Sequence, residues 1–193
     1  MDLRYDFETT IFYMNEGAIK EKALSDNYAR TDLYIKGGDY LIPKITKHIS
    51  PSEYRIFAYF KEMQVNYNSA KHYYEEALNN SQEPIDKAYS YEYLAYFYSG
   101  KFSGVVQNQD KAREYYNEAI KVLENKIDPY LVNYKAKLIT QSAIFDLQCN
   151  KKAEAKIKLL EALKIFEKLP KEYNPDNNIN YLKGRLIEIE SEK

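Results

Sequence analysis

The chain has 193 residues, 45% apolar and 30% charged, enough to bury a core and solvate a surface, which excludes a wholly disordered polypeptide. Its 28 basic and 29 acidic side chains give a formal net charge of −1, with the signs mixed: 7 against 8 in residues 1–50, 9 against 11 in 51–127, and 12 against 10 in 128–193. No segment has the basic excess that phosphate neutralisation requires, so nucleic acid is not an expected partner.

Helix signals follow one another along the chain. Leu3, Phe7, Ile11, Met14 and Ala18 form an amphipathic stripe, and a second segment from about Ser25 stops at Lys36-Gly37-Gly38. Pro43 limits what comes next to a short helix. Ser50-Pro51-Ser52-Glu53 then offers an N-cap, a first-turn proline and a glutamate three residues after the cap, predicting a helix to about Gln64. Ser69 to Asn79 reads as its partner. Pro84 opens a helix to Ser99-Gly100, followed by one from about Asp110 to Asn125. Asp128-Pro129 starts a helix reaching about Cys149, and Lys151 to Leu169 pairs with it. Pro170 and Asn174-Pro175-Asp176 break the chain before a last helix, Ile179 to Ile189. No segment alternates with period two, and 6 Gly and 6 Pro are few for an all-β fold, so an all-α fold is expected.

Three of the second helices share a pattern. Ala70, Tyr74, Ala77 and Leu78 match Ala112, Tyr116, Ala119 and Ile120, and both match Ala155, Leu159, Ala162 and Leu163. Alanines seven apart lie on one stripe and let two helices approach, while the large residue between them fills the adjoining groove. The first helices contribute Ala58 and Ala143, each twelve residues before the matching alanine, and Ala95, seventeen before Ala112. The middle turn is therefore about five residues longer. A non-repeating bundle would also put Ala, Tyr and Leu on its core faces, but the recurrence of one spacing favours repeats.

These residues resemble the tetratricopeptide repeat family from about Pro51 to Leu169, with a degenerate copy around Leu24 to Lys47. The middle unit, Gly100-Lys101-Phe102 through Val105-Val106 to Ala112, is similar to the related Sel1-type repeat. The chain departs from the family in its period of 42 to 43 residues instead of ~34, in Asp146 where an aromatic is expected, and in the lack of a turn glycine in the first unit. The resemblance implies a right-handed α-solenoid of about three to four hairpins: residues 1–50 as N-terminal helices, 51–170 as three repeats, and 171–193 as a capping helix. Lys183, Arg185, Glu188 and Glu190 would form that cap's outer face.

It further implies that the first helices line a concave face that accepts a partner's peptide. Carried over position by position, that face holds Arg55, Tyr59 and Glu62, then Tyr89, Glu92 and Tyr96, then Lys137, Thr140 and Ile144. Tyr and Arg suit such a lining, although any of these tyrosines can equally pack between repeats. Arg55 and Lys137 would supply charge, but Tyr59 and Tyr93 occupy the asparagine positions of the family's carboxylate clamp, so an aromatic groove is expected instead. The implied function is a peptide-binding adaptor or assembly scaffold whose partner is another protein, a peptide or a second copy of the chain. The alternative is a peptide-responsive regulator similar to bacterial pheromone sensors, without their DNA-binding domain.

No catalytic residues, metal site or cofactor are expected. His48 and His72 are the only histidines, and Cys149 has neither a second cysteine nor a nearby histidine. Gly-rich phosphate loops and nucleophile elbows are absent from the sequence. Lys151, Lys152, Lys156 and Lys158 form the one local basic patch, read as a solvated helix face. The acidic N-terminus is unlike a secretory signal and no apolar run approaches ~18 residues, so a cytoplasmic protein without membrane contact is expected.

Overall fold

Serine, asparagine and aspartate side chains cap the starts of four helices. Ser50 accepts from the Glu53 backbone N–H at 3.3 Å while the Glu53 carboxylate accepts from the Ser50 N–H at 2.5 Å, closing a reciprocal capping box. Asn66, Asn108 and Asp128 accept from backbone N–H groups three residues on, and Pro51, Pro84 and Pro129 occupy first-turn positions where no N–H is missed. The computed structural model describes residues 50–173 and 175–191. Among them are seven α-helices and no strand: α1 (Pro51–Met63), α2 (Tyr67–Asn79), α3 (Pro84–Ser99), α4 (Gln109–Val122), α5 (Pro129–Gln148), α6 (Lys152–Phe166) and α7 (Asp176–Ser191), with a 3-10 turn at Lys171–Tyr173. The expected helices and degenerate repeat before residue 50, and His48, lie outside the described residues.

The chain divides into two units. The described part of the first holds α1, α2 and residues Phe102–Gly104; the second holds Gln82–Lys101 and Val105 onward, hence α3 to α7. Within the first, α1 and α2 pack as an antiparallel pair. Within the second, α3 pairs with α4 and α5 with α6, α4 also lies against α5, and α7 packs on α6. No helix among the described residues is long and apolar enough to cross a membrane.

The alanine stripes form the seams of the pairs. Ala58, Ala70 and Ala77 in the first unit, and Ala95, Ala112, Ala119, Ala143, Ala155 and Ala162 in the second, are all fully buried. Ala88 and Ala136, each seven residues before a seam alanine of α3 or α5, extend the same stripe. The large residues of the motif, Tyr74, Tyr116 and Leu159, are equally sealed. Leu182 and Leu186 of α7 close the end of the core on Ala136, Ile139 and Ala162.

Each hairpin turn has a left-handed residue just past the end of its first helix. Gly100 (φ 72°) supplies it after α3; Val65 (φ 60°) does so between α1 and α2, and Asn150 (φ 59°) between α5 and α6. The first unit therefore dispenses with a turn glycine at the expense of a β-branched residue in a region costing about 1–2 kcal/mol.

Ion pairs alter two expectations about surfaces. The cap's outer face is only partly free, because Lys183 reaches Glu167 at 3.8 Å and Glu190 meets Lys156 at 2.7 Å, both on or just beyond α6. The lysine patch is not wholly solvated: Lys158 turns inward to Asp146 at 2.6 Å. Asp146, standing where the family pattern has an aromatic, is buried and also accepts from Arg113 Nε at 3.1 Å.

Glu62 is sealed in the first unit, where Tyr74 donates to it at 3.1 Å. Burial pushes its carboxyl up to about 7, against the opposing pull of hydrogen bonds from Tyr74 and Ser103. A folded-state value above the unfolded one means the group's contribution is fully present below about 4.5 and is lost as pH rises through about 7. Stability should therefore fall by up to about 3 kcal/mol between pH 4.5 and 8 from this residue alone. Glu62→Gln should flatten that part of the profile in denaturant melts across the range. An unchanged slope would show that Glu62 ionises freely.

Candidate functional site

One side of α5 carries Lys137, Thr140, Gln141 and Ile144, spaced three and four apart on a single stripe. Within the second unit this stripe faces Glu92 and Tyr96 of α3 and Asn178 and Tyr181 of α7, and the space between is a cleft of about 400 Å³ floored by Tyr134 and Phe166. That size falls in the range of ligand pockets.

Glu92 is the charge at the base of the cleft. It is 7% exposed, and both its oxygens are occupied: Tyr96 donates through a very short hydrogen bond to Oε1, and Tyr134 donates to Oε2 at 2.6 Å. Burial, and then the facing Glu92 carboxylate, raise both phenols far above their ordinary range, so each stays a donor at any physiological pH. Lys101 Nζ sits 3.7 Å over the Tyr96 ring and donates to Gln141 Oε1 at 3.1 Å. Thr140 spends its hydroxyl on the Ala136 carbonyl at 2.9 Å and so offers the cleft its methyl group. At the mouth, Tyr181 is 47% exposed and Lys137 is exposed, with no ion-pair or hydrogen-bond partner among the described residues.

The structure thus brings together five of the nine residues carried over from the resemblance: Glu92, Tyr96, Lys137, Thr140 and Ile144. Two of them are less available than a lining role implies, since Glu92 and Tyr96 are largely consumed by each other. Tyr89 does not line the cleft; its ring lies 4.5 Å from that of Tyr134, and its hydroxyl meets that of Tyr130 at 2.9 Å. Arg55, Tyr59 and Glu62 belong to the first unit. There Arg55 and Glu62 are buried, and Tyr59 packs edge-on against Phe102 at 5.1 Å.

Sequence reasoning missed Tyr134, Gln141, Phe166, Asn178 and Tyr181. Tyr134 and Gln141 continue the Lys137 stripe by one step in each direction and were open to detection on helical spacing. Asn178 and Tyr181 come from a helix outside the repeated pattern, and no local signal marks them. Among the described residues no group of three or more His, Cys, Asp or Glu side chains is placed to hold a metal ion. His72 is exposed on α2, and Cys149 is a free, half-buried thiol at the end of α5. No protein-family model matches the chain, and no curated protein matches it.

Proposed function

We propose that this chain is a tetratricopeptide-like module, its hairpins stacked as a right-handed α-solenoid, that holds a peptide segment of another protein in the cleft between α3, α5 and α7. The observation that carries the reading is the Lys137–Ile144 stripe of α5, which meets an aromatic floor and an open mouth in one cleft. Both oxygens of Glu92 are taken by tyrosines, so its carboxylate is engaged within the fold, which favours a role in holding a ligand. Its chemistry selects an apolar or aromatic side chain for the floor. A carboxylate or backbone carbonyl would sit beside Lys137.

The test uses displayed peptides selected on the wild-type protein. Lys137→Glu combined with Tyr181→Ala alters exposed positions only and should weaken the selected peptides by about tenfold or more. Unchanged affinities in a variant with wild-type helical circular dichroism would reject the cleft as the binding site.

A further inference from the structure

The opposite side of α5 carries a second groove, which owes nothing to the cleft reading. Lys135 and Lys137 are two residues apart, hence about 200° apart around the helix. Where Lys137 faces the cleft, Lys135 edges a groove of about 350 Å³ between α5 and α6, wholly within the second unit.

The groove has an ordered cross-section. Ile165 and Leu169, four residues apart, form one stripe of the α6 end and its continuation; with Val132 of α5 they make an apolar floor. Lys164, near the α6 C-terminus, and Lys168, just beyond it, line the groove from the α6 side, and Lys135 lines it from α5. Glu161 is the single acidic lining residue, leaving a net charge of +2 from three lysines and one glutamate. Three other cations of α6 and α7 are paired: Lys156 with Glu190, Lys158 with Asp146 and Lys183 with Glu167. By contrast, Lys135, Lys164 and Lys168 have no ion-pair or hydrogen-bond partner among the described residues. The groove's α6 side is built from the last turns of that helix, from Glu161 to Ile165, and from Lys168 and Leu169 in the turn just beyond its end.

We propose that this groove docks an acidic amphipathic helix of a partner protein. Two apolar side chains one turn apart would rest on Val132, Ile165 and Leu169, and carboxylates on both flanks would meet the lysines of the α5 and α6 sides. Charge complementarity identifies the occupant's sign, and the apolar floor beside these lysines identifies its amphipathic form.

The probe is a fluorescein-labelled synthetic helical peptide carrying a leucine pair one turn apart with glutamates on both flanks, followed by anisotropy. Saturable binding is expected, weakening as salt rises from about 0.05 to about 0.3 M. Lys135→Glu/Lys164→Glu/Lys168→Glu should reduce affinity about tenfold or more, and a peptide with lysines in place of the glutamates should recover binding to that variant. A peptide with serines for the leucines should bind weakly to the wild type. Lysine acetylation footprinting on the wild type, which does not depend on any variant folding, should show Lys135, Lys164 and Lys168 protected by the peptide. Absence of that protection overturns the proposal, as does equal binding by the serine peptide, which would reduce the groove to unspecific charge attraction. Capture of phosphatidylglycerol vesicles through the same lysines, with no peptide binding, would replace the helix by a lipid surface and equally overturn it.

Discussion

Asp146→Ala is expected to lower the free energy of unfolding by about 4 kcal/mol, measured by urea denaturation. The carboxylate side chain is 2% exposed and accepts from Lys158 Nζ at 2.6 Å and Arg113 Nε at 3.1 Å, so one residue of α5 ties down cations from α4 and α6. Those cations are themselves poorly solvated, with side-chain exposures of 17% for Arg113 and 23% for Lys158. Lys158 retains only Ser142 Oγ at 2.7 Å once the carboxylate is removed. Arg113 retains Asp110, whose side chain is 98% exposed, and already leaves one buried N–H without a partner. The loss is therefore chiefly the burial of two uncompensated charges, not the worth of two ion pairs. This account orders a series. Asp146→Asn should cost less than Asp146→Ala because it keeps an acceptor. Asp146→Leu with Lys158→Met should recover part of the loss, since an apolar pair of similar volume replaces the ions. A double variant as unstable as the sum of its parts would mean that the charges are not coupled.

The hairpins were legible in the sequence because their seams depend on residue size at fixed spacing. Ala70, Ala112 and Ala155 recur in one pattern with their partners, and every motif alanine is fully buried. Caps were equally readable, since Ser50, Asp128 and the first-turn prolines act on neighbours within one turn. Helix ends were less so: α4 stops at Val122 instead of near Asn125, because Leu123 is drawn into the core and the Lys126 N–H turns back to its carbonyl at 3.2 Å. Polar residues with long-range partners were opaque. Nothing local distinguishes Lys158, which turns inward, from Lys152, or tells that Glu62 and Glu92 would be sealed beneath tyrosine hydroxyls. The cleft was half legible for the same reason. Its α5 stripe follows helical spacing, whereas Asn178 and Tyr181 enter only through the packing of α7 on α6. The alanine pattern itself recurs every 42–43 residues, longer than the ~34 of a tetratricopeptide repeat.

Gly100→Ala should be nearly as damaging, at about 3–4 kcal/mol, for a reason specific to the longer middle turn. Gly100 closes α3 in the left-handed region at φ 72°, where any Cβ costs about 1–2 kcal/mol. The larger part is steric. A Cβ there would lie 2.5 Å from the Val105 carbonyl carbon, 2.6 Å from its oxygen and 2.8 Å from the Val106 nitrogen, all backbone atoms that cannot rotate aside. Moving that strand of the turn would disturb the Gln107 and Asn108 N–H groups, which both bond to the Tyr98 carbonyl at 3.0 and 3.1 Å. It would also displace Asn108, whose side chain caps α4 through Lys111 N–H at 3.0 Å. Gly104 is the built-in comparison: its φ is 71°, but nothing lies within 4 Å of an added Cβ. Gly104→Ala should therefore show the conformational cost alone, about 1 kcal/mol, and Gly100→Asn should stay close to Gly100→Ala, because tolerance of the left-handed region does not remove the clash. If urea melts gave Gly100→Ala and Gly104→Ala equal losses, the close backbone approach behind Gly100 would be refuted, and the extra length of this turn would have to be held by side chains instead.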